Sequence, residues 1–194
     1  MPGWPELEGA VLDVAPRLLG AVLRHDDVAV RLTEVEAYDG PDDPGSHAFN
    51  GRTPRNSVMF GPPGFLYVYF TYGMHHCCNV VVGAEGRPSA VLVRAGEVVD
   101  GLDTARARRG STDRDLARGP ARLCQALGID RTHDGADLSR GSLTLTLPAE
   151  PATDVRTGPR VGLRQAADRA WRFWVDGEPT VSTYRPAVAR PRRR

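Results

Sequence analysis

AVLRHDDVAVRLTEVEAY, residues Ala21–Tyr38, is the segment that most clearly indicates the fold class. Ala21–Arg24 and Val28–Tyr38 are rich in the β-branched and apolar residues that favour strands. The His25-Asp26-Asp27 segment between them has the composition of a turn. The stretch therefore predicts a β-hairpin with one long strand, and the rest of the chain can be interpreted around that strand.

The long strand carries an unusual row of polar side chains. Successive residues of a strand point to opposite faces, so Glu34, Glu36 and Tyr38 share one face. A carboxylate beside a phenol is a candidate general base, although a Glu on a strand is more often simply solvated. Glu34 and Glu36 would lie about 7 Å apart along one strand, so they cannot straddle a scissile bond as a glycosidase pair does. We therefore expect Glu34 to support Glu36.

The remaining sequence predicts an α+β fold, in which a single domain has a curved, mostly antiparallel β-sheet and peripheral helices. Short apolar or alternating runs mark the other strands: Phe65–Tyr72, Cys78–Val82, Ala90–Arg94, Leu143–Leu147, Val161–Leu163 and Arg172–Val175. Gly119–Leu127 predicts a short helix, and the Arg-rich residues 104–118 predict an exposed loop. The expected organisation is an N-terminal arm over 1–10, one domain over 11–184 and a basic, disordered tail over 185–194.

Composition narrows the possible chemistry. The chain has 194 residues with a net charge of +1, so its overall charge predicts no partner. All 25 basic residues are Arg, and without Lys no side-chain amine can form a Schiff base with a sugar aldehyde. Three cysteines, no signal sequence and no apolar run of membrane-spanning length together predict a soluble, cytoplasmic protein.

Aromatic residues cluster after a long Gly/Pro-rich loop, residues 39–57, that carries His47. Tyr67, Tyr69 and Tyr72 follow it within six positions. Such a cluster near a carboxylate suits a flat ligand such as a nucleobase, although packing in a core is the commoner role of strand tyrosines. Tyr72 is out of phase with the other two and precedes Gly73, so it could protrude and fill the gap left by an extruded base.

These segments, taken in order, resemble the alkyladenine (3-methyladenine) DNA glycosylase family, in a bacterial member. The resemblance spans about residues 10–182 and is specific as a set, although no single motif is. It is carried by E-x-E-A-Y, T-P-R-N, M-F, L-Y-V-Y-x-x-Y-G-M and G-P-x-x-L-C-Q, with further matches at Val91–Ala95, Pro159–Leu163 and Arg172–Val175.

The resemblance implies a role for individual residues. Glu36 matches the general base, and Arg94 matches the residue that holds the catalytic water with it. A backbone carbonyl within Val161–Leu163, with Val161 and Leu163 as the named candidates, matches the third ligand of that water. The residues matched to the flipped base and the DNA are Tyr38 on one face of the base, His47 and Tyr69 on the other, Asn79 as the pocket residue that disfavours guanine, and Tyr72 as the residue inserted into the duplex.

The function implied is a monofunctional DNA glycosylase that flips out and hydrolyses alkylated or deaminated purines (3-methyladenine, 7-methylguanine, hypoxanthine) during base excision repair. It would act as a monomer on damaged double-stranded DNA, in the nucleoid, without cofactor or membrane. A zinc site at His75–Cys78 is disfavoured because neighbouring strand residues point to opposite faces. Arg52, Arg55 and residues 106–118 could contact phosphates. Two alternatives stay open: a non-catalytic nucleic-acid binding module, and a hydrolase of nucleoside N-glycosides.

Overall fold

A computed structural model describes residues 4–187 as one α+β unit built on an open, antiparallel sheet of eight strands. The fold class is therefore confirmed. The strands are β1 (Val22–His25), β2 (Val28–Tyr38), β3 (Leu66–Thr71), β4 (His75–Val82), β5 (Ser89–Asp100), β6 (Leu143–Thr146), β7 (Val155–Gly158) and β8 (Arg172–Val175). The helices are α1 (Val11–Val14), α2 (Leu102–Arg109) and α3 (Pro120–Leu127), joined by short 3-10 segments.

Strand β2 is the centre of the sheet, as its length predicts. The path through the sheet is β3-β4-β5-β2-β1-β6. One edge of β2 pairs with β5. Along the other edge, the first half of β2 pairs with β1, and Glu34–Glu36 in its second half pair with β8. Strand β8 also pairs with β7. The register of β2 against β5 shifts on both sides of Glu34. This irregularity lies at the point where the polar row of β2 begins.

Two features of the core explain how the sheet holds this arrangement. The inward faces of β1, β2, β4 and β5 supply a continuous cluster of buried valines and leucines, and α3 covers it with Leu123, Cys124 and Leu127. At Gly96 the backbones of β2 and β5 come so close that an added Cβ would lie 2.3 Å from the Arg31 carbonyl oxygen. Glycine is therefore required at this crossing.

The structure corrects two of the predicted elements. Residues 104–118 are not an exposed loop: they contain most of α2, and Ala105, Leu116 and Ala117 are fully buried. The many arginines concealed this helix because few of its residues are apolar. Val161–Leu163 is a turn after β7 instead of a strand, and Gly162 has a positive φ of 72° there.

The structure describes part of both ends of the chain, and the expected organisation into arm, domain and tail stays a prediction. Residues 5–7 form a 3-10 segment within the predicted arm, and Leu7 is buried in the core because it packs against apolar residues of the sheet and α1. Of the predicted tail, the carbonyl of Arg185 accepts a hydrogen bond from Gly162. Residues 1–3 and 188–194 lie outside the described residues, and with them most of the tail.

Candidate active site

A pocket of about 340 Å³ opens beside the second half of β2, in the size range of small-ligand sites. The walls come from β2, β5, the β3–β4 hairpin, the loop over 39–57 and the turn at 161–163. Every site residue named from the sequence lines it: Glu36, Tyr38, His47, Tyr69, Tyr72, Asn79, Arg94, Val161 and Leu163. The fold thus brings together residues from five separate parts of the chain.

Glu36 lies at the floor of this pocket and is fully buried. The Tyr38 hydroxyl donates a hydrogen bond to Oε2 at 2.8 Å, and the Val161 amide donates to Oε1 at 2.7 Å. Arg94 Nη1 lies 3.3 Å from Oε1. A carboxylate offers about four lone-pair sites, so these contacts leave acceptor capacity on Oε2. Glu36 is held rigidly and can still bind one more donor, such as a water.

A second buried carboxylate supports this arrangement. Glu34 accepts hydrogen bonds from Arg94 Nε at 3.0 Å and Arg172 Nη1 at 3.2 Å, and from the backbone amide and hydroxyl of Ser182. It does not line the pocket. Burial lowers the pKa of Arg94, but Glu36 and Glu34 outweigh burial and leave that pKa above its usual value. Arg94 is thus a permanent cation between two carboxylates.

Uncharged rings form the pocket walls. The His47 ring packs edge-on against Tyr69, with 4.5 Å between ring centroids, and His47 Nδ1 lies 3.1 Å from the Tyr67 hydroxyl. Burial, and to a lesser extent Arg55, lowers the pKa of His47. Burial raises the pKa values of Tyr38 and Tyr69 well above their usual value. At neutral pH these walls are therefore apolar, electron-rich surfaces with polar edges.

Strand β4 contributes Asn79 and a residue that the sequence interpretation missed. Asn79 Nδ2 donates to the Tyr67 carbonyl at 3.1 Å, which fixes the orientation of the amide at the pocket edge. Cys77 also lines the pocket, opposite Tyr69 in the β3–β4 register. Burial raises the pKa of the Cys77 thiol to about 11, so it is a neutral, small wall residue. Alternation from Asn79 along β4 could have identified it, since residues i and i−2 share a face.

Tyr72 stands at the tip of the β3–β4 hairpin, 84% exposed. Tyr72 and Gly73 both have positive φ, 53° and 67°, and the Met74 amide donates to the Thr71 carbonyl at 3.2 Å. Positive φ at both central residues is typical of the type I′ turn. A tyrosine is strained in this conformation. The predicted protrusion of Tyr72 is confirmed, and Met74 is exposed beside it.

Most of the arginines suspected of binding phosphate are occupied within the protein. Arg106 pairs with Asp103 and Asp113, Arg108 donates to the Ala126 carbonyl, and Arg118 donates to the Val181 carbonyl. By contrast, Arg52 and Arg55 form no ion pair with another described residue: the Arg52 guanidinium lies over the Phe60 ring, and the Arg55 guanidinium lies near the Tyr69 ring and donates to the Phe70 carbonyl at 3.5 Å, while both residues are exposed. Arg52 and Arg55 therefore remain better candidates for DNA contacts than the arginines of residues 106–118.

The described residues, 4–187, contain neither a metal-binding cluster nor a membrane-spanning helix. Within this range, no group of three or more His, Cys, Asp or Glu side chains is placed to hold a metal ion. None of the helices in the same part of the chain has the length and apolar character needed to cross a membrane.

Sequence comparison shows the class of proteins to which this chain belongs. Residues 6–179 match the family Methylpurine-DNA glycosylase, and the chain belongs to this family. It is 56% identical to a protein of Streptomyces avermitilis over 94% of this chain and 91% of the relative. Relatives from Leifsonia xyli and Nocardia farcinica are 52% and 53% identical, covering 95% and 91% of this chain and 92% and 88% of their own lengths. All three are named as candidate 3-methyladenine DNA glycosylases.

The family resemblance predicted from the sequence is therefore confirmed. The protein is a DNA glycosylase, a hydrolase of N-glycosyl bonds whose substrate is DNA.

Proposed function

We propose that this DNA glycosylase excises alkylated and deaminated purines, among them 3-methyladenine, 7-methylguanine and hypoxanthine, from double-stranded DNA by flipping the damaged nucleotide into the pocket. The observation that carries the proposal is Glu36, a buried carboxylate with three fixed partners at the floor of a pocket with aromatic walls. The relatives' names mention 3-methyladenine, which agrees with this substrate class.

The geometry suggests how hydrolysis proceeds. A water bound at the free acceptor site of Glu36 Oε2 gives a proton to the carboxylate as its oxygen attacks the anomeric carbon, and the purine leaves with the bonding electrons. Positive charge grows on the sugar while the glycosidic bond breaks, and the carboxylate stabilises it. Arg94 Nη1 lies beside Oε1, where it can hold Glu36 and the water in place. The predicted water-binding carbonyl of Val161 or Leu163 stays a prediction, because Val161 contacts Glu36 through its amide.

Stacking explains the choice of base. A purine between Tyr38 on one side and His47 with Tyr69 on the other gains about 1–3 kcal/mol for each ring that stacks face-on, and because the His47 and Tyr69 rings are nearly perpendicular, only one of these two can do so. N-alkylated purines are cations, and neutral aromatic faces attract them further. A cationic base is also a good leaving group. The low pKa of His47 matters here because a protonated imidazole would repel the charged base.

Neutral lesions such as hypoxanthine need a hydrogen bond to the purine, and the backbone amides of residues 45–47, in the loop that lines the pocket, are the candidate donors. The Gly45 amide donates to Asp43 Oδ1 and the Ser46 amide to the Asp43 carbonyl. We therefore assign this role to the His47 amide. Asn79, at the pocket edge, would disfavour guanine.

The DNA-facing surface would be the side that carries the pocket mouth, Tyr72 and the loop arginines Arg52 and Arg55. Tyr72 would enter the duplex and occupy the gap left by the flipped nucleotide. The sequence has no Lys, so no side-chain amine can form a Schiff base with the sugar and open it. The enzyme would therefore remove the base without a Lys-dependent cleavage of the DNA strand. Action as a monomer and association with the nucleoid complete the proposal.

A duplex panel tests it directly. Duplexes bearing 3-methyladenine, 7-methylguanine, hypoxanthine or no lesion are incubated with the protein and then treated with alkali, which breaks the strand at each abasic site. Breaks in the lesion duplexes alone support the proposal. Failure to cleave any lesion duplex would overturn it and favour a non-catalytic binding module. Equal hydrolysis of the free nucleosides would favour a nucleoside hydrolase, because such an enzyme needs no Tyr72.

A further inference from the structure

Behind the pocket lies a buried ion pair that the proposed chemistry does not use. Arg160 and Asp43 are 117 positions apart, and their side chains have no exposed surface. Arg160 Nη1 and Nη2 donate to the two carboxylate oxygens of Asp43 at 2.5 and 2.7 Å. Burying two charges is costly, and the pair often contributes little net stability. A role in positioning would explain its presence.

The Arg160 guanidinium contacts strand β2 at two points beside the active site. Its carbon lies 4.6 Å from the centre of the Tyr38 ring, and because Arg160 does not line the pocket, it packs against Tyr38 from outside the pocket. Nη1 also donates to the carbonyl of Ala37, between Glu36 and Tyr38, at 2.9 Å. The residue after Arg160 is Val161, whose amide binds Glu36.

Asp43 connects Arg160 to the opposite wall of the pocket, which contains His47. Its Oδ1 accepts the Gly45 amide at 3.0 Å, and its carbonyl accepts the Ser46 amide at 2.8 Å. These bonds shape the turn that presents His47. The space is tight, since a Cβ on Gly45 would lie 2.9 Å from Arg160 Nη2. Arg160 thus links the Tyr38 wall, the His47 wall and the Val161 amide in one rigid unit.

We propose that Arg160, through Asp43, is a positioning residue: it sets the gap between Tyr38 and His47 and holds Val161 against Glu36. It touches neither the base nor the water. The inference rests on the proposed function, because it assumes that a base enters this gap. A planar fork is needed, since only a guanidinium can bind both carboxylate oxygens while stacking on a ring.

The test uses a double variant, because a single substitution would leave one buried charge uncompensated. Arg160→Gln with Asp43→Asn replaces the ion pair by two neutral amides. Excision of 7-methylguanine and hypoxanthine is measured in single turnover at saturating enzyme, together with the affinity for lesion duplex. We expect the rate constant to fall at least 10-fold with full amplitude, and lesion affinity to fall several-fold, while affinity for undamaged duplex is unchanged.

A purely structural role predicts a different result. Partial unfolding lowers the active fraction, and thus the amplitude or the enzyme concentration needed for saturation, without changing the rate constant. Leu145→Ala, on β6 at the far edge of the sheet, is the matched control that lowers the melting temperature without touching the pocket. Arg160→Lys is the second variant, which keeps the charge but loses the fork, and its rate constant should also fall.

The outcomes separate the two proposals. A wild-type protein without activity on any lesion duplex defeats the proposed function itself. An active wild type with unchanged rate constants in Arg160→Lys, and in the double variant if that folds, defeats the positioning role of Arg160 alone. A reduced rate constant in the Leu145→Ala control would also overturn it, because the loss would then follow from stability.

Discussion

The floor of the pocket and the tip of the β3–β4 hairpin are both part of the site, yet they are built in opposite ways. At the floor, Glu36 and its neighbour Glu34 are fully buried, and each is held by several hydrogen bonds or ion pairs, to side chains of the strands and to the backbone amides of Val161 and Ser182. At the tip, Tyr72 is 84% exposed and its backbone is strained. Chemistry requires a carboxylate that does not move, whereas recognition of DNA requires a side chain free to enter another molecule. The following predictions test this contrast.

The largest effect should come from the floor. Glu36→Gln keeps the shape of the side chain but removes the negative charge, so it can neither accept a proton from water nor stabilise the sugar cation. General-base catalysis alone contributes about 10²–10⁴-fold. We expect single-turnover excision to fall by at least that range, while the affinity for lesion duplex changes little. Normal turnover in this variant would contradict the assignment.

The second prediction concerns the cation between the two carboxylates. Arg94→Met leaves Glu34 and Glu36 buried without their shared partner, and breaking such a buried pair typically costs about 3–5 kcal/mol. A large fall in melting temperature should accompany the loss of activity. Arg24→Met, which breaks an exposed pair with Asp100, is the control and should change stability by about 0–1 kcal/mol. Equal effects of the two substitutions would show that the floor is not the rigid region we describe.

At the tip, activity and stability should change in opposite directions. Tyr72→Gly removes the exposed ring and allows the positive φ without strain, which costs about 1–3 kcal/mol for non-glycine residues. The melting temperature should therefore hold or rise, while discrimination of lesion from normal duplex falls by about tenfold, the equivalent of roughly 1.4 kcal/mol. If lesion binding were unchanged, Tyr72 would not be the inserted residue.

The smallest effect should be the pH dependence of the His47 wall. Its folded pKa lies below 6.5, so the unfolded chain binds more protons than the folded one as the pH falls below 6.5. His47 therefore makes the protein less stable on acidification and has no effect well above that pH. His47→Gln should reduce the fall in melting temperature between pH 7 and pH 5. If the melting temperatures of the wild type and of His47→Gln fell equally between pH 7 and pH 5, the lowered pKa of His47 would be refuted.

The floor and the tip also show how much of the structure could be predicted from the sequence. Alternation along Val28–Tyr38 was enough to place Glu36 and Tyr38 on one face and to assign Glu34 a supporting position, because strand periodicity is a local property. The tip was also predictable, since Gly73 marks the turn. The helix over Leu102–Arg109 was not, because its apolar face has one small buried residue, Ala105. The turn at 161–163 resembled a strand because Val161 and Leu163 alternate around a glycine.

The sequence was sufficient to predict the fold class, the family and nine of the residues that line the pocket. It also excluded a Schiff base from a side-chain amine, because composition is independent of folding. Which atoms meet depends on the folded chain and could not be predicted. Val161 offers Glu36 its amide, Glu34 receives Arg94 and Arg172, and Arg160 reaches Asp43 across 117 positions. Such contacts join segments distant in the chain, and their geometry depends on packing and β-bulges that no local pattern records.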